Sequence, residues 1–315
     1  MDLKDKRSLE KSFAFLKEHK YKSKIFVIFI FIVFLLSKLS LFNYLGFISI
    51  SDAKSIIRDF EKSYLYDSVF NNSQYMEIKS KLLKNRFTTK SKIHDLIIQV
   101  KKLAGDNYTE LKYVDFLQGK FNYSLNKKMH FNKKNLGDNT IYVKISSFGQ
   151  NAALKFNKKN TDYLVLDLRG NYTGNYYEAI QIADDLLPEG LAIVQIEYSN
   201  SKHFYNSDSI YYDFNKIYVL VDKNSGYCSE IVALALKENL KDKVVLIGNG
   251  TMGIEIGSIY KSYNNKIGIS IASLRWNING KGIKELNKYI IDNKHIKLEN
   301  IKDNICLIEI IKLIE

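Results

Sequence analysis

The stretch Tyr163-Leu-Val-Leu-Asp-Leu-Arg-Gly-Asn171 decides the fold class. An apolar run of this length, closed by polar residues, is typical of a strand that is buried on both faces. Similar runs alternate with helical patterns along the second half of the chain. They predict strands at 142–148, 163–167, 191–198, 216–221, 243–247, 258–263 and 266–274, and helices at 151–157, 175–187, 229–240 and 303–314. Alternation of this kind indicates an α/β layer fold for residues 121–315.

Residues 51–119, which precede this region, carry a helical pattern. Ser51 or Asp52 can cap the first helix, and a later apolar stripe runs through Ile93, Leu96, Ile97, Val100 and Leu103. Gly105 is placed to end the helix that carries the stripe. We predict a small helical subdomain in which the stripes form the core, because such stripes usually bury locally.

The N-terminal segment predicts a membrane anchor. Residues 1–24 are polar and rich in Lys, and the uncharged apolar run 25–36 follows them. Twelve residues at ~1.5 Å each do not cross a bilayer core of ~30 Å, so the predicted span is 25–47, with Lys38 snorkelling or meeting water. No small-x-small cleavage site follows Leu36, which favours an uncleaved signal anchor over a secretory signal. The basic tail 1–24 then lies in the cytoplasm and the 121–315 core lies outside.

Composition sets weaker limits on function. The net charge of +13 is spread along 315 residues, and no nucleic-acid-binding motif is present. A basic balance of this kind fits an anionic membrane surface or simply solvated lysines. The only cysteines, Cys228 and Cys306, lack metal-ligand spacing, so we predict no metal and no cofactor.

Six blocks, in order, resemble the tail-specific (C-terminal-processing) serine peptidase family. They are Tyr142-Val-Lys-Ile-Ser-Ser-Phe148, Leu164-Val-Leu-Asp-Leu-Arg-Gly-Asn171, Ala183-Asp-Asp-Leu-Leu-Pro-Glu-Gly190, Ser225-Gly-Tyr-Cys-Ser-Glu-Ile-Val-Ala233, Gly248-Asn-Gly-Thr-Met-Gly253 and Asn279-Gly-Lys-Gly-Ile283. The resemblance implies a crotonase/ClpP-like core that acts on polypeptides. Between the helical stretch 51–119 and Tyr142 there is no room for the PDZ domain that many members insert, so the chain resembles the PDZ-less ones.

The same resemblance identifies the catalytic positions and shows that their residues differ. The family uses a Ser nucleophile, a Lys base and a Gln that orients the base. Those three positions here hold Tyr227, Ile254 and Ser258. A phenol with a pKa near 10 is a poor nucleophile without a base, and Ile254 cannot accept a proton. The oxyanion and peptide-binding positions are Thr173, Gly174 and Cys228, where Thr173 replaces a family glycine. We therefore predict a pseudoenzyme.

Three functions remain open from the sequence. The first is a non-catalytic, membrane-anchored module outside the cytoplasm that binds a peptide or an unfolded protein segment. The second is an active peptidase, serine-type or with Cys228 as a shifted nucleophile, that cleaves unstructured polypeptides. Glu255 is a conceivable base for it, and the sequence does not place His130 or His203. The third is a regulatory subunit that pairs with an active paralogue.

Overall fold

The computed structural model describes residues 46–113, 130–136, 139–149, 154, 161–172, 174, 176–208, 211–263 and 267–291. Two compact units divide these residues: one holds residues 46–59 and 68–105, and the other holds residues 60–67 and 106–291. The predicted tail 1–24, all but the end of the predicted anchor 25–47, the predicted helix 151–157 apart from Leu154, and the predicted helix 303–314 lie outside the described residues. Among the helices that the structure describes, none is both long and apolar enough to cross a bilayer.

The first unit, which we call the helical unit, contains helices and a two-stranded sheet. Its elements are β1 (Phe47–Ser49), α1 (Ile50–Ser63, whose last residues belong to the second unit), α2 (Ser73–Leu83), β2 (Phe87–Thr89) and α3 (Lys90–Ala104). The chain enters α1 directly from β1, so Ser49 and not Ser51 or Asp52 is the cap. The Ser49 hydroxyl accepts the Asp52 N–H at 3.1 Å.

The apolar stripe of α3 is confirmed as core. Ile93, Leu96, Ile97 and Val100 are buried, although Leu103 at the end of the stripe is 41% exposed. Gly105 ends the helix with a φ of 67°, as its position predicted. The change from the helical unit to the second unit falls at Gly105, because the next strand, β3 (Glu110–Tyr113), pairs with a strand of the second unit.

The second unit contains a six-stranded sheet in the order β13-β10-β9-β6-β5-β4. These strands are β4 (His130–Asn135), β5 (Thr140–Ser147), β6 (Tyr163–Asp167), β9 (Lys216–Val221), β10 (Val244–Gly248) and β13 (Ile290–Ile291). β5, β6, β9, β10 and β13 are parallel, and β4 is antiparallel to β5. The α/β prediction is confirmed. The apolar run Tyr163–Asp167 forms β6, which lies between β5 and β9.

A second, antiparallel sheet has the order β11-β12-β7-β8, with β3 paired to β12. Its strands are β7 (Ala192–Glu197), β8 (Lys202–Asn206), β11 (Ile256–Tyr263) and β12 (Ile267–Asn277). The strand predicted at 191–198 thus forms, but it leaves the parallel sheet and pairs with β8 and β12. Between β11 and β12 the register shifts at Gly257 and Ser258.

The helices of the second unit are α4 (Tyr176–Asp184), α5 (Cys228–Leu240) and α6 (Ile283–Tyr289). α5 is apolar on every side, and residues Ile231 to Leu236 have no exposed surface. A helix of this composition must be enclosed by other elements. That enclosure fixes the N-terminus of α5, and with it the turn from β9, in one place.

Candidate functional site

The turn between β9 and α5 contains a strained residue at the position that the resemblance gives to the nucleophile. Tyr227 has a φ of 46° and a ψ of −93°, a backbone region that residues other than glycine rarely occupy. The turn is held by the buried Asn171, whose carbonyl oxygen accepts the Gly226 N–H at 3.0 Å and the Ser229 hydroxyl at 2.8 Å. The Asn171 amide in turn donates to the Ile145 carbonyl at 3.0 Å. The structure therefore keeps a sharp turn there although the serine is absent.

The Tyr227 ring fits against a glycine of β11. A β-carbon built on Gly257 would lie 2.7 Å from the Tyr227 hydroxyl oxygen and 2.6 Å from Cδ1 of Leu274. Real β-carbons do not approach other atoms so closely, so the ring occupies space that only a glycine leaves open. Burial raises the pKa of the Tyr227 phenol, and the neighbouring Cys228 and Tyr198 raise it further. The phenol is therefore neutral at physiological pH, which is the opposite of what a nucleophile needs.

Glu230 connects the nucleophile position to the base position. One carboxylate oxygen accepts the Tyr227 N–H at 2.7 Å and the Ile254 N–H at 3.1 Å, and the other accepts the Gly253 N–H at 2.6 Å. Burial raises the pKa of Glu230, and these hydrogen bonds offset only part of that shift. The N–H groups of Tyr227, Gly253 and Ile254 are thus all hydrogen-bonded to the Glu230 carboxylate.

The base position is apolar and tightly fixed. Ile254 lies in the loop between β10 and β11, and its Cδ1 is 3.1 Å from the place where a β-carbon on Gly226 would lie. The indole N–H of the buried Trp276 donates to the Ile254 carbonyl at 2.8 Å. Ser258, at the orienting position, is exposed on β11. The structure brings Tyr227 and Ile254 together, while the Ser258 side chain contacts solvent.

The predicted oxyanion positions are described only in part. Thr173 lies outside the described residues. Gly174 has a φ of 102°, and a β-carbon there would lie 2.7 Å from a Glu178 carboxylate oxygen and 3.2 Å from Cys228 Sγ. Gly174 and Cys228, which were both expected at the oxyanion position, therefore lie close together. The buried carboxylate of Glu178, for which the sequence suggested no role, lies beside them.

Cys228, the alternative nucleophile, is fully buried. Burial raises the pKa of its thiol, and the carboxylates of Glu178 and Glu230 add to that shift. A reactive thiolate needs the opposite surroundings, a cation and access to solvent.

The conceivable bases lie in other environments. The Glu255 carboxylate accepts the Ile283 N–H at 3.0 Å and so caps α6. His203 packs edge-on against Tyr198 with ring centroids 5.6 Å apart, and His130 is exposed on β4. None of these contacts joins a base to Cys228.

A pocket of about 590 Å³ opens beside the base-position loop. Its lining combines polar and apolar groups from Lys223, Gly248, Asn249, Gly250, Thr251, Met252, Asn287 and Ile290. Its size is within the range of small-ligand sites. Within the described part of the chain, no group of three His, Cys, Asp or Glu side chains is placed to hold a metal ion.

Two residues of the site were missed from the sequence. Glu230 lies in the quoted block 225–233 but was given no role there. A Glu three residues after a helix start often accepts backbone N–H groups at that start. Gly257 was not considered, yet an isolated glycine inside a strand signals a close approach by another group. The sequence therefore contained a pattern that pointed to each of these two residues.

Solved structures confirm the class of fold. The chain aligns with the photosystem II D1 C-terminal processing protease with a TM-score of 0.54 and 15% identity, covering 75% of this chain and 91% of that one. Identity this low supports the fold alone. The second unit therefore has the α/β fold of a C-terminal-processing protease.

The sequence comparisons give the family. Residues 139–292 match the profile described as peptidase family S41. The carboxy-terminal processing protease CtpA of Bacillus subtilis (strain 168) is 30% identical over 162 residues, which is 47% of this chain and 34% of that protein. The chloroplastic carboxyl-terminal-processing peptidase 2 of Arabidopsis thaliana is 31% identical over 121 residues, 36% of this chain and 23% of that protein. The chain carries a peptidase family S41 domain, that of the tail-specific proteases, and matches about a third or less of these relatives.

Proposed function

We propose that the chain is a membrane-anchored, non-catalytic member of the tail-specific peptidase family that binds polypeptide segments outside the cytoplasm. The observation that carries this proposal is the fit between Tyr227 and Gly257. A tyrosine placed by chance at a serine position would collide with the side chain of an ordinary strand residue. Here the facing residue is a glycine, and the ring fills the space above it. The site is built around the tyrosine.

The surrounding chemistry supports the loss of catalysis. Acyl transfer by a hydroxyl needs a base within hydrogen-bond reach and free N–H groups for the oxyanion. The base position presents the aliphatic side chain of Ile254, and the Tyr227 N–H is taken by Glu230. The buried Cys228 thiol, flanked by two carboxylates, gives little support to a shifted nucleophile.

Polypeptide binding is proposed from the family and from the pocket. The relatives are named as C-terminal-processing proteases, a name that makes polypeptides their substrates. The pocket that Met252 and Thr251 line opens beside the loop that holds Ile254, so a bound segment near the former catalytic centre can also reach it. Membrane attachment rests on the apolar run 25–36 and the basic tail before it.

Peptide cleavage and peptide binding by the full chain in detergent micelles test the proposal. We expect no cleavage of unstructured fluorogenic peptides and no labelling by a fluorophosphonate, together with saturable binding of some of the same peptides by fluorescence anisotropy. Cleavage that disappears in Tyr227→Phe, which removes only the hydroxyl oxygen, would refute the loss of catalysis. The absence of binding across a peptide library would refute the binding role and favour a subunit that pairs with an active paralogue.

A further inference from the structure

One segment of the helical unit is strongly basic. Residues 79–92 contain six Lys or Arg residues and no Asp or Glu. Lys81 pairs with Glu77 at 2.6 Å. Lys84 and Arg86 are exposed, and within the described part of the chain neither has a carboxylate partner. The helical unit as a whole has ten basic and four acidic residues, a net charge of +6.

Backbone hydrogen bonds fix this segment beside the end of the predicted anchor. β2, in the middle of the segment, pairs antiparallel with β1, so that Phe47 lies opposite Thr89. The Lys90 N–H donates to the Gly46 carbonyl at 2.9 Å, and the Ile50 N–H donates to the Arg86 carbonyl at 3.3 Å. The predicted anchor 25–47 ends inside residues 46–50, so a bilayer crossed by that anchor would have its headgroups at the level of β1 and β2.

An exposed aromatic ring lies among the cations. Phe87, the first residue of β2, is 47% exposed. Aromatic and basic residues together are the usual composition of a surface that lies in the headgroup layer. The remainder of the chain is also basic, so charge alone does not single out this segment; its backbone pairing with residues 46–50 does.

We propose that residues 84–92, which we call the basic collar, lie on the headgroups of an anionic bilayer and hold the helical unit against it. The proposal rests on the proposed membrane anchor. Each cation near an anionic surface strengthens attraction on the order of fivefold, and the effect fades within a Debye length of about 8–10 Å. The β1–β2 pairing keeps Lys84, Arg86 and Lys90 close to the anchor exit, within the range over which this attraction acts.

Lysine acetylation of the reconstituted full chain tests the collar. The chain is inserted into phosphatidylcholine vesicles or into mixed phosphatidylcholine–phosphatidylglycerol vesicles, and acetylation rates are read by mass spectrometry. We expect Lys84 and Lys92 to react about fivefold more slowly in the anionic vesicles and to recover in high salt. Lys102, at the far end of α3 in the same unit and about 18 Å along the helix from Lys90 at ~1.5 Å per residue, serves as the control, and its rate should change less.

Two variants make the test specific. Lys84→Glu combined with Arg86→Glu should abolish the lipid dependence at Lys92. Lys101→Glu combined with Lys102→Glu, the matched change on α3 of the same unit, should leave the lipid dependence at Lys84 intact. Equal Lys84 rates in both lipids, with the chain retained after alkaline washing, overturn the collar but not the anchor. Loss of the chain on alkaline washing overturns the anchor and the collar together.

Discussion

Gly257→Ala is the sharpest test of how the site is built. The new β-carbon would lie 2.7 Å from the Tyr227 hydroxyl oxygen and 2.6 Å from Leu274 Cδ1. Overpacking of this kind costs about 1–3 kcal/mol in unfolding free energy. The new β-carbon would clash with two side chains, so we assign about 1 kcal/mol of the cost in unfolding free energy to the phenol oxygen and a similar amount to Leu274.

Tyr227→Phe isolates the phenol contribution because it deletes only that oxygen. The single change should cost under about 1 kcal/mol, since the phenol has no hydrogen-bond partner within the described part of the chain. In the double variant, Gly257→Ala should cost about 1 kcal/mol less than it does alone. Urea unfolding of the four proteins measures this coupling. Trp276, the only tryptophan, is a suitable fluorescent probe because it is buried and bonded to Ile254.

A second glycine on the facing strand provides the control. A β-carbon on Gly268 would collide with the Tyr260 hydroxyl, and its three nearest atoms all belong to Tyr260. Gly268→Ala should therefore destabilise the protein by the same amount with Tyr or Phe at position 227. Costs of Gly257→Ala and Tyr227→Phe that add to within about 0.3 kcal/mol would refute the proposed fit.

Three further outcomes follow from buried groups. Glu230→Ala should cost about 3–5 kcal/mol in a urea titration, because three backbone N–H groups lose their acceptor; a cost under about 1 kcal/mol contradicts that role. Cys228 should resist iodoacetamide in the native state and react in urea, and fast native labelling would revive the shifted-nucleophile hypothesis. Burial raises the pKa of Asp185 from 3.8 to about 6, so its contribution to stability is full below about pH 4 and is lost as the pH rises through 6. Asp185→Asn should then raise stability by about 1 kcal/mol at pH 7, after allowance for solvent screening, and by almost nothing at pH 4, as melting temperatures will show.

The parallel sheet could be predicted because its strands are buried on both faces. β6, β9 and β10 read as apolar runs whose ends the sequence gives to within a residue or two. β4 and β8 were missed because they are short and almost wholly exposed, so they lack an apolar face. The transfer of β7 to the antiparallel sheet depends on partners distant in sequence, which local periodicity does not encode.

The site could be predicted by position but not by contact. The family resemblance pointed to Tyr227 and Ile254, and the structure joins their backbones through Glu230. Which way the Tyr227 ring turns depends on Gly257, thirty residues further along the chain and on another sheet. Sequence patterns relate residues within one helix or strand, so they do not predict a contact between a helix start and a distant strand.

The pairing of Tyr227 with Gly257 also limits how either position can change. A side chain at position 257 meets both the Tyr227 hydroxyl and Leu274, whereas a small residue at position 227 leaves an empty space beside Gly257. Each residue makes the other tolerable, so either single reversal begins by losing stability. Positions 227 and 257 therefore constrain each other, and a serine at position 227 would need a larger residue nearby to fill the space that the tyrosine occupies.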